Sequence, residues 1–168
     1  KAECVIINAV ECEPYLTADH QLMLEKPEQI LVGVSLIMKA VNVTKGYIGI
    51  ENNKPDAIAL MTEKAAKYPN IEIVPLKVQY PQGGEKQLID AVIGRQVPNP
   101  PAIPIAVGAV VQNVGTAYAV YEAVIKNKPL FERVVTVTGK ALANPSNFLT
   151  RMGTPMSQLI EAAGGMPE

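Results

Sequence analysis

Three short polar segments lie far apart in this chain, and two of them directly follow an apolar run. They are residues 8–14 (Asn-Ala-Val-Glu-Cys-Glu-Pro), 80–86 (Tyr-Pro-Gln-Gly-Gly-Glu-Lys) and 112–116 (Gln-Asn-Val-Gly-Thr). The first and third segments are predicted to be loops at the carboxyl ends of strands, which is the edge of a parallel sheet where α/β proteins bind ligands. Convergence of all three segments on one crevice would make a nucleotide-type site.

The alternation of apolar runs and helical patterns predicts a mostly parallel sheet covered by helices on both faces, a Rossmann-like α/β fold. Pro75 indicates that the third strand lies at an edge of the sheet or contains a bulge. The predicted strands are residues 4–8, 46–51, 71–78 and 106–112, and the predicted helices are 19–41 (broken near Pro27), 54–67, 84–93 and 116–126.

The pattern changes after residue 130. Residues 133–138 are β-branched and alternating, which predicts a strand with one face in water. A short strand at 148–151 and a helix at 154–163 follow, so the unit is ββα and too small to fold alone. We therefore predict two domains, 1–130 and 131–168. Because the sequence begins and ends abruptly, we also expect it to be a fragment of a longer protein.

Bulk properties exclude several classes of function. The formal net charge of −1 gives no basic face for nucleic acid, and no apolar stretch reaches the roughly 18 residues of a membrane span. Cys4 and Cys12 are the only cysteines and cannot supply a four-ligand zinc or iron–sulfur site. They fit two reduced thiols in a cytosolic protein, and His20 fits a surface or capping role.

The amides and glycines of the three segments suit a flavin. Asn8 and Asn113 each carry a donor and an acceptor, which can pair with the polar edge of an isoalloxazine ring. Gly83 and Gly84 let the backbone approach a flat ring closely. Taken singly, each residue also fits a structural role, as a turn residue or a cap, so the flavin hypothesis depends on their combination.

The remaining polar residues suit the other parts of a nucleotide. Gly115 and Thr116 open a predicted helix, where backbone N–H groups and a hydroxyl bind phosphate. Glu11, Glu13 and Glu85 cannot favour a phosphate by charge. We expect them to accept hydrogen bonds from ribose hydroxyls or from an amide.

Residues 7–19, 80–88 and 111–118 carry a family resemblance. They read INAVECEPYLTAD, YPQGGEKQL and VQNVGTAY. On these motifs the chain resembles RnfC, a subunit of the Rnf electron-transport complex, and it is similar to the FMN- and NADH-binding subunit of respiratory complex I. From residue 134 onward it resembles the start of a β-grasp domain of the SLBB type.

The resemblance implies which residues bind the cofactors. Three positions differ from the complex I motif, at Val10, Gln112 and Gly115, and a fourth, Gly84, stands where complex I has a glutamate. The implied cofactor-binding residues are Asn8, Glu11, Glu13, Tyr80, Gly83, Gly84, Glu85, Asn113 and Thr116. No catalytic acid or base and no metal ligand is expected in the chain, because the flavin does the chemistry.

The resemblance also implies a function. We expect a fragment of the NADH-oxidising, electron-input subunit of an ion-translocating NAD:ferredoxin oxidoreductase, and we expect the fragment alone to be inactive. A glycine-rich loop that wraps FMN and NADH is expected before residue 1, and two 4Fe–4S clusters after residue 168. The expected partners are the other Rnf subunits and, indirectly, ferredoxin, on the cytoplasmic side of the inner membrane.

Two other functions fit the same sequence. One is the flavin domain of a cobalamin reductase of the propanediol-utilisation type. The other is an interaction scaffold that keeps the fold without binding flavin, which the joint presence of Asn8, Glu85, Asn113 and Thr116 disfavours.

Overall fold

A computed structural model describes residues 1–166 of the chain. Its first part alternates strands and helices, and a hairpin followed by a helix forms the second part. The elements are β1 (Cys4–Ala9), α1 (Ala18–Glu25), α2 (Pro27–Ala40), β2 (Gly46–Glu51), α3 (Pro55–Ala65), β3 (Ile71–Leu76), α4 (Glu85–Ile93), a short 3₁₀ helix (Pro104–Val107), β4 (Ala109–Asn113), α5 (Val114–Lys126), β5 (Glu132–Val137), β6 (Ser146–Arg151) and α6 (Met156–Ala162).

The four strands β1 to β4 form one parallel sheet in the order β3-β2-β1-β4. The chain moves outward from β1 through β2 to β3 and then crosses to the other side of β1. Strand order therefore reverses between β1 and β4, where Asn8 and Asn113 are partners in the parallel register. A reversal of this kind opens a crevice at the carboxyl ends of the strands.

Side chains of β1 alternate between two apolar cores, as the pleat of a strand requires. Val5, Ile7 and Ala9 belong to the larger core, which includes residues of α1, α2, α3 and α5. Cys4 and Ile6 belong to the smaller core beneath α4. Helices therefore cover both faces of the sheet, which confirms the predicted Rossmann-like fold.

Local sequence signals set several helix boundaries. Pro27 is the first residue of α2, where its missing N–H leaves no helical hydrogen bond unmade, and this separates α1 from α2 as predicted. Gly94 ends α4 in the left-handed conformation, with φ of 64°. The sequence makes Asn53 a candidate cap for α3, but the cap position is Lys54.

The prediction for the fourth strand was wrong at its start. Residues 106 and 107 belong to the 3₁₀ helix, and Gly108 turns the chain with φ of 81°. The strand therefore begins at Ala109, and because it lies at an edge of the sheet, Val110 and Val111 are only half-buried. The following helix begins at Val114 rather than at Thr116.

The second part of the chain is an antiparallel hairpin of β5 and β6 followed by α6, the ββα order predicted from sequence. It contacts the first part through Thr17, whose backbone N–H donates to Thr136 Oγ1 at 3.3 Å. The predicted second domain extends to residue 168, and its last two residues lie outside the described ones. Within residues 1–166, no helix combines the length and apolarity needed to cross a bilayer.

Candidate ligand-binding site

A cavity of about 620 Å³ lies at the carboxyl edge of the sheet, at the crevice between β1 and β4. Its volume is within the range of roughly 300–1,000 Å³ that small-molecule sites occupy. Its walls come from the loop after β1, the start of α1, the loop before α4, the end of β4 and strand β5. The lining residues are Val10, Glu11, Cys12, Glu13, Leu16, Ala18, Asp19, Pro81, Gly83, Gly84, Asn113, Arg133, Val134, Val135 and Thr136.

Asn8 joins two of the predicted segments. Its Nδ2 donates to the Gly83 carbonyl at 2.8 Å, and its Oδ1 accepts from the Val10 N–H at 3.0 Å. The amide therefore has protein partners on both sides and holds the loop before α4 over the end of β1. That it pairs with a ligand stays a prediction.

Gly83 lies where a larger residue would not fit. A Cβ at this position would be 2.5 Å from the Val10 carbonyl oxygen and 3.0 Å from Cys12 Sγ. The absence of a side chain lets the two loops touch, so Pro81, Gly83 and Gly84 reach the cavity although they follow β3, two strands away.

Glu11 and Glu13 have different surroundings. The Glu11 carboxylate accepts from the N–H groups of Asp19 and His20 at 3.0 and 3.2 Å, and so satisfies the first turn of α1. Glu13 is exposed and accepts from the Tyr80 hydroxyl at 3.1 Å, and this hydrogen bond raises the pKa of Tyr80. Glu13 is therefore the freer carboxylate at the rim.

Asn113 has all its hydrogen-bonding positions occupied by the protein. Its Nδ2 donates to Asp19 Oδ2 at 2.7 Å and to the Asn8 carbonyl at 3.4 Å. Its Oδ1 accepts from the Gly115 N–H at 2.9 Å, as the cap of α5, and from Arg133 Nη2 at 2.7 Å. The side chain thus connects β1, α1, α5 and β5 at one point.

Sequence reasoning did not select Asp19 and Arg133 as site residues. Burial raises the pKa of Asp19, and the Glu11 charge adds to the shift, while the Asn113 hydrogen bond and the charges of Arg133 and Lys54 oppose it. Asp19 could have been found as the last residue of the first motif and an acid in the first turn of a helix. Arg133 gave no signal, because its place at the cavity depends on how β5 packs.

Four of the nine predicted residues are not among those that line the cavity: Asn8, Tyr80, Glu85 and Thr116. Asn8 and Tyr80 instead hydrogen-bond to the lining residues Gly83 and Glu13. Glu85 is exposed in the first turn of α4, and Thr116 is half-buried in the first turn of α5. The described lining residues do include Glu11, Glu13, Gly83, Gly84 and Asn113.

The charges that line the cavity are three carboxylates and one guanidinium. The carboxylates belong to Glu11, Glu13 and Asp19, and the guanidinium belongs to Arg133. Across residues 1–166, no group of three or more His, Cys, Asp or Glu side chains is arranged to hold a metal ion. The polar groups present suit hydroxyl and amide donors, with one cation for an anionic group.

The parallel sheet, its reversal of strand order and the polar cavity at that reversal define a Rossmann-like α/β protein with a cavity where such folds bind ligands. The family match is more specific. Residues 1–122 match the Nuo51 FMN-binding domain, so the chain belongs to that family. Residues 134–168 match the SLBB domain, as the sequence predicted.

Curated relatives include components of one kind of complex. The chain is 46% identical over 165 residues to the C subunit of the Na(+)-translocating ferredoxin:NAD(+) oxidoreductase complex of Acetobacterium woodii, covering 98% of this chain and 37% of that protein. It is 47% identical over 168 residues to the C subunit of the proton-translocating ferredoxin:NAD(+) oxidoreductase complex of Clostridium ljungdahlii, covering 100% and 36%. The chain therefore spans about a third of the length of these relatives, and the RnfC resemblance is confirmed.

The fold also occurs in solved structures of an NAD+-reducing [NiFe]-hydrogenase. The matching chain in the structure of the air-oxidized state has 25% sequence identity to this chain. The match has a TM-score of 0.80 and covers 96% of this chain and 32% of the hydrogenase chain. The matching chain in the structure of the H2-reduced state has 24% sequence identity to this chain and the same TM-score. This match covers 96% of this chain and 33% of the hydrogenase chain, and it supports the fold.

Proposed function

We propose that this chain is the FMN- and NADH-binding segment of the electron-input subunit of an ion-translocating ferredoxin:NAD+ oxidoreductase of the Rnf type. The observation that carries the proposal is the convergence of the three RnfC-like segments on one cavity at the reversal of strand order. The family match and the curated relatives support the same activity.

The residues around the cavity fit FMN. Gly83 lets the loop before α4 pack against the loop after β1 at the cavity, and Glu13 and Asp19 supply acceptors for ribityl hydroxyls. When bound, FMN would take a hydride from NADH and release electrons singly. The protein would supply position and electrostatics, so we assign no acid or base to the chain.

The predicted site residues then divide by role. Asn8, Glu11 and Asn113 would position the loops, because protein groups already occupy their polar atoms. Glu13, Tyr80, Gly83 and Gly84 would contact the cofactors at the rim and floor. Glu85 would bind NADH above the flavin because it follows the glycine pair, and Thr116 would bind phosphate at the start of its helix. The family resemblance also implies a contact of Glu13 with NADH.

The same proposal extends to partners. The segment would work with the other subunits of a membrane complex, peripherally on the cytoplasmic side of the inner membrane. Electrons would pass through two 4Fe–4S clusters elsewhere in the subunit and reach ferredoxin indirectly. A cobalamin reductase is the less favoured alternative, because the curated relatives are named as components of oxidoreductase complexes.

Titration of FMN into the full-length subunit tests the proposal. We expect saturable quenching of flavin fluorescence at one FMN per chain, followed by bleaching of the flavin absorbance when NADH is added. Gly83→Leu, which would fill the loop contact, should abolish quenching. Absence of quenching in the wild type would favour a scaffold, and NADH-dependent reduction of aquacobalamin would favour the corrinoid alternative.

A further inference from the structure

The Asn113 amide is a second point, besides Thr17, where the second part of the chain is attached to the first. Arg133 Nη2 donates to Asn113 Oδ1 at 2.7 Å, and Asn113 Nδ2 donates to Asp19 Oδ2 at 2.7 Å. The three side chains form a continuous series from β5 through the end of β4 to α1. Their separation in sequence is 20 residues on one side and 94 on the other.

Strand β5 is a wall of the candidate site as well as part of the second unit. Arg133, Val134, Val135 and Thr136 all line the cavity. They lie outside residues 1–122, the segment that matches the FMN-binding family. The site as folded is therefore built from both parts of the chain.

Gly115 provides the place for the guanidinium. A Cβ on Gly115 would lie 2.9 Å from Arg133 Nη2 and 3.2 Å from Arg133 Cζ. The guanidinium therefore rests on the first turn of α5 at a position without a side chain. The planar guanidinium lies against Gly115 while its Nη2 donates to Asn113 Oδ1, and the tetrahedral ammonium of a lysine would not reproduce this flat packing.

We propose that Arg133 is a positioning residue of the ligand site: it fixes the Asn113 amide and so holds β5 as one wall of the cavity. This inference rests on the proposed function for the identity of the ligand. The Arg133–Asn113–Asp19 series itself is independent of that identity.

Charge supports the geometry. The Asp19 carboxyl is faced by Glu11 in the preceding loop, by Lys54 before α3 and by Arg133 on β5, besides the Asn113 amide. Arg133 lowers the pKa of Asp19 against the effect of burial. Loss of the guanidinium therefore removes a positive charge near the Asp19 carboxyl, and the pKa of Asp19 should rise.

Side-chain NMR of this chain tests the positioning. We expect Arg133→Gln to move the Asn113 side-chain amide resonances and to raise the titration midpoint of Asp19. Gly115→Ala, whose Cβ would displace the guanidinium, should move the same amide resonances although Arg133 and its charge are kept, and alanine also favours the helix. Arg95→Gln, at the opposite edge of the sheet beside Glu3, is the matched control and should change neither. Unchanged Asn113 resonances in both site variants would overturn the proposal.

FMN titration of the full-length subunit tests the consequence for the ligand. Arg133→Gln should weaken FMN about tenfold, since a charge-assisted hydrogen bond that orders the wall is lost. Arg133→Lys should recover little of the FMN affinity, because the planar guanidinium is lost although the positive charge is kept. Altered Asn113 resonances with unchanged FMN affinity would overturn the role in the site. A wild type that binds no FMN would overturn the proposed function, and the NMR result would still decide the positioning.

Discussion

The Asn8 side-chain amide donates to the Gly83 carbonyl at 2.8 Å and so joins the end of β1 to the loop before α4, 75 residues away in sequence. The loop follows β3, which is separated from β1 by β2. Together with the hydrogen bond from Tyr80 to Glu13, this tether fixes the second motif over the first. The hydrogen bond therefore shapes the cavity before any ligand binds.

Replacing Asn8 with Asp should destabilise the protein. The carboxylate keeps the acceptor for the Val10 N–H but turns an oxygen toward the Gly83 carbonyl, where a donor is needed. A part-buried carbonyl left without its donor costs about 1–3 kcal/mol. Urea unfolding followed by circular dichroism measures the change in the free energy of unfolding.

Asn53→Asp is the matched control, because Asn53 is exposed in the turn after β2 and the substitution adds the same charge. We expect the control to stay within about 0.5 kcal/mol of the wild type. Equal stability of the Asn8 and Asn53 variants would show that the tether contributes nothing.

The sheet and its helices could be predicted from the uninterrupted apolar runs and from the positions of the prolines. Residues 5–7 are apolar because β1 is covered on both faces, so the strand could be located without a structure. Pro27 marked the boundary between α1 and α2, because proline has no N–H and its fixed φ suits the first residue of a helix. Such signals are local, and local signals are visible in sequence.

The parts that sequence did not reveal depend on tertiary contacts. The apolar stretch from Ile103 to Val111 gave no sign that Gly108 would turn the chain, so β4 was predicted three residues too early. Asn113 was selected as a ligand group, yet its partners come from four other elements. Arg133 has a role that only the packing of β5 reveals. The type of residue was predictable, but its partners were not.

Asp19 should make stability depend on pH in a definite direction. Burial raises the pKa of Asp19 in the folded protein above its ordinary value of 3.8, so the folded state binds this proton more tightly than the unfolded state. Stability therefore falls as pH rises through the window from 3.8 up to the raised value. Asp19→Asn removes the titration, and the variant should gain stability relative to wild type across that window.

Urea unfolding of both proteins at a series of pH values measures this difference. Asp56→Asn is a control in which the stability difference should change with pH in the opposite direction, because the His20 hydrogen bond lowers the pKa of Asp56. A stability difference between Asp19→Asn and wild type that does not vary with pH would contradict the expected shift.

Tyr15 is a strained residue whose replacement should stabilise the chain. Its φ is 70°, a left-handed conformation that glycine adopts readily, and its side chain is 73% exposed. Relief of about 1–2 kcal/mol of strain exceeds the roughly 0.5–1 kcal/mol of extra unfolded-state entropy that glycine brings. Tyr15→Gly should therefore gain about 0.5–1 kcal/mol in thermal or urea unfolding.

Asn42→Gly is the matched control for Tyr15. Asn42 also has positive φ, at 56°, but asparagine tolerates that conformation, so its gain should be smaller. A loss of stability in Tyr15→Gly would mean that the exposed ring makes packing contacts that outweigh the strain.

Glu51 and Lys54 form an ion pair that is almost removed from water. Lys54 Nζ lies 3.2 Å from Glu51 Oε2, and Lys54 and Glu51 are 7% and 1% exposed respectively. Within the described part of the chain, Glu51 Oε1 is a buried atom without a hydrogen-bond partner. The carboxylate at the end of β2 therefore depends on one ammonium group for its compensation.

Lys54→Met should destabilise the protein strongly, because it leaves the Glu51 charge buried and unpaired, at a cost of about 3–5 kcal/mol. The double variant Glu51→Leu with Lys54→Met should recover most of that loss, since replacing both members of a buried pair by apolar groups is often near neutral. Lys64→Met, which breaks the exposed pair with Glu63, is the control and should cost less than about 1 kcal/mol. All four proteins are compared by urea unfolding at pH 7, and a double variant as unstable as Lys54→Met would show that packing, rather than the unpaired charge, causes the loss.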